Sequence, residues 1–222
     1  MNLMDVFARR YEMKKLIITW FGHSCFKIRY GEYSLVIDPY KDGMIPGLAP
    51  LALEADEVFC SHDHGDHSFV EAVKIRSPHR VSPFKVTKIR CAHDEVGGKK
   101  RGMNLIHVFE ADGLRVAHFG DLGGRLTPQQ METLGRLDAA MIPVGGVFTI
   151  DAREAKELIF LLKPRVVIPM HYRTEKFGFG ALGMLDDFLA LCGDVMKAKS
   201  SSIEITEDKP KGTVVLTYEA SN

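Results

Sequence analysis

The stretch EVFCSHDHGDHS, residues 57–68, decides how the rest of the chain is read. A short apolar run, Val58-Phe59-Cys60, gives way to a turn that gathers His62, His64, Asp66 and His67. Polar groups crowded in this way are costly unless something satisfies them, and neutral imidazoles with carboxylates are ligands for zinc and its first-row neighbours. The alternate positions His62 and His64 project toward one ion, while Asp66 and His67, beyond Gly65, turn toward another. A solvated polar loop is the competing reading, and the internal H-x-H-x-D-H spacing argues against it. The stretch reads as half of a two-metal site.

Working outward, the same pattern recurs. Four apolar runs end directly at a candidate ligand: Phe59-Cys60-Ser61 at His62, Arg90-Cys91-Ala92 at His93, His118-Phe119-Gly120 at Asp121, and Ile168-Pro169-Met170 at His171. Strand ends that converge on one rim of a sheet are where layered α/β folds place ligands, because rigid strands position the loop residues. Gly120 and Gly65 remove side chains where the backbone is expected to pass close to the ions.

The remaining periodicities supply the frame. Leu16–Phe21, Cys25–Tyr30 and Tyr33–Ile37 are β-rich and predict an antiparallel start to a sheet. Residues 39–56, with Pro39, Pro46 and Pro50, form a long loop able to wall a site. Phe69–Ile75 suits a short helix, Lys85–Ala92 a strand, and Asn104–Glu110 with Leu114–Phe119 a hairpin around Asp112-Gly113. Thr127-Pro128 opens a helix to about Leu134, and Asp151 with Glu154 caps a second one through Leu162. Strands are predicted at Asp138–Ile142, Arg165–Pro169, Ile203–Ile205 and Thr213–Tyr218, and a helix at Met184–Leu191. Residues 1–14 read as an N-terminal arm without assigned function, and 15–222 as one domain.

Composition excludes several classes. Lys+Arg 29 balances Asp+Glu 29 with a pI of about 7.1, so no global field draws the molecule to nucleic acid or to an anionic membrane. Cys25, Cys60, Cys91 and Cys192 are scattered without a C-x-x-C pair, as expected for reduced thiols of a cytoplasmic protein. The first residues lack the apolar stretch of a signal peptide, and no run approaches the roughly 20 apolar residues of a membrane span.

SHDHGDHS, followed in order by His93, FGDLG and PMHY, resembles the metallo-β-lactamase superfamily from about Trp20 to Tyr218. More narrowly, WFGHSCFKI, the Asp-Pro of VIDPY, HDEVGGKKRGMN, HFGDLG, IPVGGVFTIDA and IPMHY resemble a bacterial branch of metal-dependent hydrolases akin to the ascorbate-phosphate lactonase-like proteins. The resemblance implies an α/β fold, a four-layer αββα sandwich, with two divalent ions on one edge. It implies that His62, His64 and His93 hold the first ion, that Asp66, His67 and His171 hold the second, and that Asp121 bridges them. It further implies that Asp38 braces the ligand loop and that His23 faces the site as a supporting residue behind the ligands or as a catalytic proton relay, with a structural hydrogen-bonding histidine as the competing reading. One departure is that His93 lies in HDEVGGKK rather than in a G-H-T loop. His79, His107 and His118 are read as structural or exposed.

Such a ligand set predicts hydrolysis. Two cations, zinc by default with manganese or iron admitted by the oxygen ligands, lower the pKa of a bridging water from about 15.7 toward 7. Asp66 is expected to orient the resulting hydroxide and accept its proton. Lys99, Lys100 and Arg101 follow His93, and Arg173 and Lys176 follow His171. Arg101 and Arg173 are therefore expected to bind a small anionic ester, lactone or phosphoester. The alternatives are a phosphodiesterase or nuclease of the same fold, which neutral charge disfavours, and a noncatalytic metal-binding regulatory protein, which the full ligand set disfavours. The expected partner is a small molecule, with neither nucleic acid nor membrane.

Overall fold

The computed structural model describes residues 15–76 and 80–219, so the expected arm at 1–14, and His79, lie outside the described residues. The first strands are β1 (Leu16–Trp20), β2 (Phe26–Tyr30), β3 (Tyr33–Ile37), β4 (Leu53–Ala55), β5 (Glu57–Phe59) and β6 (Val73–Ile75). Then come β7 (Lys85–Ala92), β8 (Met103–Ala111), β9 (Leu114–His118), helix α1 (Pro128–Leu134), β10 (Ala139–Pro143) and helix α2 (Ala152–Leu162). The chain closes with β11 (Val166–Met170), helix α3 (Leu185–Leu189), β12 (Val195–Lys197), β13 (Ser202–Ile205) and β14 (Gly212–Val215).

Two sheets face each other. One has the order β13-β1-β2-β3-β5, the other β12-β14-β11-β10-β9-β8-β7. A continuous core joins them, with Trp20, Phe26, Leu35 and Ile37 from the first sheet and Ile106, Phe109, Val116 and Met141 from the second. Strands β10 and β11 are buried at every position. That is the mark of a parallel sheet covered on both faces. The steps β9 to β10 and β10 to β11 are parallel neighbours and run the same way across the sheet, so right-handed crossovers put α1 and α2 on one face. Both helices begin with a reciprocal cap. Thr127 accepts the Gln130 N–H while the Gln130 side chain accepts the Thr127 N–H, and Asp151 and Glu154 do the same. Leu134, Ala155 and Leu158 then seat the helices on the core.

One expected helix is absent. Phe69–Ile75 forms a single 3₁₀ turn at Val70–Ala72 and then strand β6, which pairs in parallel with β4. The β-branched pair Val73 and Ile75 fits that pleated register better than a helix. On this side a thin layer, built from β4, β6 and the 39–51 loop, covers the first sheet. Cys25, Val36, Tyr40, Ile45 and Leu53 form its own small core.

The topology fixes where the site falls. β7 is antiparallel to β8, and β8 to β9, so β7, β9, β10 and β11 all point one way. In the other sheet β3 and β5 are parallel, with Ile37 opposite Phe59. The strands that lead to Asp38, His62, His93, Asp121 and His171 thus end on a common edge.

Candidate metal centre

The structure brings all seven predicted ligands into contact. Donor atoms of His62, His64 and His93 lie within 4.8 Å of one another, as do those of His62, His67 and Asp121. Those of His23, Asp66, His67 and His171 form another such group. Asp121 sits between the sets. Its Oδ2 is 3.4 Å from His93 Nε2, 3.3 Å from His171 Nε2 and 3.9 Å from His62 Nε2, and its Oδ1 is 3.2 Å from His67 Nε2.

Burial decides what these atoms need. His23, His67, His93, Asp121 and His171 are buried, and His62 and Asp66 nearly so; His64 stands at the solvent side. Nε2 of His62 and His67, both ring nitrogens of His23, and Oδ1 of Asp121 have no aligned hydrogen-bond partner. An orphaned buried polar group costs about 1–3 kcal/mol. Several that converge on one spot fit a cation and little else. Electrostatics agree. Burial pushes His62 down to about 3, aided by His67 nearby, and lowers His93, which keeps both imidazoles neutral as ligation requires. Burial would also lower His67, yet the carboxylates of Asp121 and Asp38 outweigh it and raise that imidazole well above its usual range. A cation bound at Nε2 would take the place of the proton that these carboxylates favour there. Burial alone would raise Asp121 and Asp66, but His171 and His67 hold the former, and His23 and His67 the latter, well below the usual carboxylate range.

A buried network sets the tautomers. Asp38, fully buried, accepts hydrogen bonds from the Ser61 N–H at 2.7 Å and from the Ser61 hydroxyl at 2.6 Å. It also lies 2.8 Å from His67 Nδ1. A carboxylate only accepts, so His67 donates from Nδ1 and turns the Nε2 lone pair to the cluster. The Ser61 hydroxyl has spent its proton on Asp38, so at 2.9 Å from His62 Nδ1 it accepts, and His62 likewise presents Nε2. Asp38 thus contacts His67 directly, and Ser61 links it to His62.

Several supporting residues carried no signal in the sequence. Asn104, fully buried, accepts the Asp121 N–H at 2.9 Å and donates to the Phe119 carbonyl at 2.8 Å, which fixes the Asp121 backbone. Gly120 is required by this packing rather than by close approach to ions. A Cβ there would lie 2.2 Å from Asn104 Oδ1 and 2.5 Å from Ser61 Cβ, at φ +53. Asp94, next to His93, gathers the N–H groups of Val96, Gly98, Lys100 and Arg101 at 2.7–3.0 Å. Its carboxyl is lowered to about 2: burial opposes, and the four amide donors prevail. The glycine-rich stretch after His93 is therefore a built loop. His118 is structural: it accepts the Gly120 N–H at Nδ1 and donates from Nε2 to the Ser24 carbonyl. His107 is buried against Phe59 and Phe109.

The two expected anion binders part company. Arg101 rides the Asp94 loop with its guanidinium 5.5 Å from the Phe148 ring centroid. Arg173 is engaged by other partners. Its Nε donates to the Leu182 carbonyl at 2.6 Å, and it lines a separate cleft with Gly47, Lys176, Met184 and Tyr218. The tight return of the chain at Gly178, whose Cβ would meet Arg173 Cα at 2.7 Å, holds it there.

Comparison with known proteins gives this geometry its class. The family model of the β-lactamase superfamily domain matches residues 17–171, a span that holds every candidate ligand. The UPF0173 metal-dependent hydrolase of Thermococcus onnurineus is 31% identical over 194 residues, 71% of this chain and 84% of that protein. The corresponding hydrolase of Korarchaeum cryptofilum is 30% identical over 187 residues, 71% and 83% of the two chains. A crystal structure from Thermotoga maritima, presented as a candidate Zn-dependent hydrolase of the metallo-β-lactamase superfamily, superposes with a TM-score of 0.71 at 33% identity, over 90% of this chain and 98% of that one. The Ignicoccus hospitalis metallo hydrolase Igni18, at 20% identity and TM-score 0.61, shares the fold, with 86% and 98% covered. The chain belongs to the metallo-β-lactamase superfamily and is a metal-dependent hydrolase. Its four cysteines are free, and among the described residues no helix is long and apolar enough to cross a membrane.

Proposed function

We propose that the chain hydrolyses a small anionic ester, lactone or phosphoester at a two-cation centre. The observation that carries this reading is the position of Asp121, whose one carboxylate lies within 3.2–3.9 Å of nitrogens from His62 and His93 on one side and His67 and His171 on the other. His62, His64 and His93 would hold one ion, and Asp66, His67 and His171 the other, with the Asp121 carboxylate within reach of both. Bound there, two divalent cations supply a Lewis acid for the substrate's oxygen and lower the pKa of water toward neutrality. Zinc suits the imidazole-rich set, and manganese or iron its oxygen donors.

The chain's own residues do the rest. Asp66 keeps a partly open carboxylate beside the cluster, ionised by its histidine neighbours, and is placed to orient the attacking water and take its proton. Asp38 and Ser61 keep the two imidazoles in the ligating tautomer. Arg101 supplies the anion contact, its loop rigid on Asp94 and its guanidinium backed by Phe148. The balanced charge supports a small-molecule substrate over a nucleic acid. The test is elemental analysis of metal-replete protein together with a screen of lactones, esters, phosphomonoesters and phosphodiesters, each in charged and neutral form. One ion per chain, or turnover of neutral analogues alone, would overturn the reading.

A further inference from the structure

His23 is the residue whose surroundings the hydrolytic reading does not use. It is 1% exposed, and neither ring nitrogen has an aligned hydrogen-bond partner. A core histidine that serves packing is normally satisfied at one nitrogen or both. His118, which reaches the neighbouring Ser24 carbonyl from the other sheet, shows that solution, with a partner at each nitrogen. His23 is different. Its Nε2 lies 3.4 Å from Asp66 Oδ2, too long and too poorly aligned for the charge-assisted hydrogen bond that a relay needs.

That distance has another meaning. Two donors on one cation, each about 2.0–2.1 Å from it at a near-tetrahedral angle, stand about 3.3–3.4 Å apart. Most pairs that define the centre stand close to this spacing, at 3.5 Å for His67 with Asp66, 3.3 Å for His171 with Asp121, 3.4 Å for His93 with Asp121 and 3.2 Å for His67 with Asp121, while His62 with Asp121 is wider at 3.9 Å. His23 Nε2 belongs to that set, and its donor atom lies within 4.8 Å of those of Asp66, His67 and His171. Its ring sits 4.1 Å from the His171 ring, with Phe179 on the other flank at 5.6 Å.

The backbone is built to aim it. His23 holds φ +48, a left-handed conformation rare outside glycine. The Trp20 indole N–H donates to the His23 carbonyl at 3.0 Å, the Cys25 N–H closes the turn on Gly22 at 2.9 Å, and His118 holds the Ser24 carbonyl at 2.8 Å. Strain kept by so many contacts is typical of a functional position. We infer that His23 is a direct ligand of the second cation, making that position a three-histidine site with Asp66 and Asp121, whereas the first has three histidines and Asp121 alone. The inference rests on the two-cation reading. The second ion is then the more enclosed of the two, and the position open to substrate lies on the side of exposed His64.

The experiment strips the full-length chain of metal and titrates zinc against a chromophoric chelator, for wild type, His23→Ala and His23→Gln, with melting temperatures of the metal-free proteins in parallel. The expected result is two equivalents in wild type, and in both variants a normal first equivalent with the second weakened by at least about 100-fold, more than the roughly 10- to 100-fold lost with a supporting residue. Free imidazole should restore the second equivalent to His23→Ala. An unchanged second equivalent in the variants overturns the inference, as does parallel weakening of both equivalents with a lower metal-free melting temperature, the signature of a packing role. One equivalent in wild type is a separate outcome that overturns the two-cation reading itself.

Discussion

Asp38 Oδ2 lies 2.8 Å from His67 Nδ1, and this contact determines which nitrogen of His67 faces the ligand cluster. Both residues are fully buried, so the bond is not shared with solvent. Asp38 holds φ +52, which an asparagine tolerates better than an alanine. Asp38→Asn therefore tests charge and tautomer control without adding backbone strain. It should lower metal affinity about 10- to 100-fold. Ser61→Ala should cost less, since the backbone N–H to Asp38 survives. Competition titration with a chelator measures both, and excess metal should restore hydrolysis in each; unchanged affinity in Asp38→Asn would contradict the bracing role.

Asp121→Ala should behave differently. It removes the one carboxylate that touches both ligand sets, so both ions should weaken together and hydrolysis should fall to background. Added metal should not bring it back. Metal counting and turnover at saturating metal decide the matter, and full recovery would rule out a bridge.

The Asp94 loop can be tested apart from the ions. Asp94→Ala removes the common acceptor of four backbone amides. Hydrogen exchange at Val96, Gly98, Lys100 and Arg101 should accelerate, while His93 stays anchored by the bond from its N–H to the Gly102 carbonyl. Arg101→Ala should raise KM for an anionic substrate about 10- to 100-fold, in line with about 1.5–3 kcal/mol for a hydrogen bond to a charged group. Arg173→Ala should leave that KM unchanged. Equal losses in the two arginine variants would show that Arg101 has no special place.

Acid stability has a contributor well away from the centre. Asp56 is 5% exposed and accepts from the Ser34 N–H at 2.8 Å and from Arg76 at 2.6 Å. Burial opposes its charge, but these partners hold the carboxyl below its ordinary 3.8. A lowered folded value means that the contribution is fully present above pH 3.8 and is lost as the pH falls through the folded value. Asp56→Asn should lower the melting temperature at neutral pH and flatten the acid limb of the stability profile below about pH 4. An unchanged limb, measured by urea titration from pH 2 to 7 on the metal-free protein, would show that the pair adds nothing.

Much of this was legible before any fold was known. The hairpin at Asp112-Gly113, where both residues take positive φ, and the two reciprocal helix caps are local effects that a few neighbouring side chains enforce. The candidate ligands were legible for a related reason: His62, His93, Asp121 and His171 each close an apolar run, and His64, Asp66 and His67 crowd behind the first of them. Phe69–Ile75 misled because a short apolar run suits helix or strand alike, and here its partner β4, some twenty residues earlier, made the choice. Arg101 and Arg173 both read as cations near candidate ligands, with Arg101 the stronger, and only the fold shows the Arg173 side chain bonded to the Leu182 carbonyl beside the tight return at Gly178.

The sequence by itself singled out His62, His64, Asp66, His67, His93, Asp121 and His171 as candidate metal ligands, because histidine and aspartate gathered at strand ends have few other uses. Only the tertiary structure decided how they are held. Asn104, Ser61 and Asp94 are ordinary polar residues until burial removes water and leaves one partner for each hydrogen bond. The same holds for His23. Its identity was visible, but its role depends on a 3.4 Å separation from Asp66, a residue 43 positions along the chain, and on ring nitrogens without an aligned hydrogen-bond partner among the described residues. Distances between strand ends of two facing sheets are set by core packing summed over the whole molecule, and no local pattern carries them.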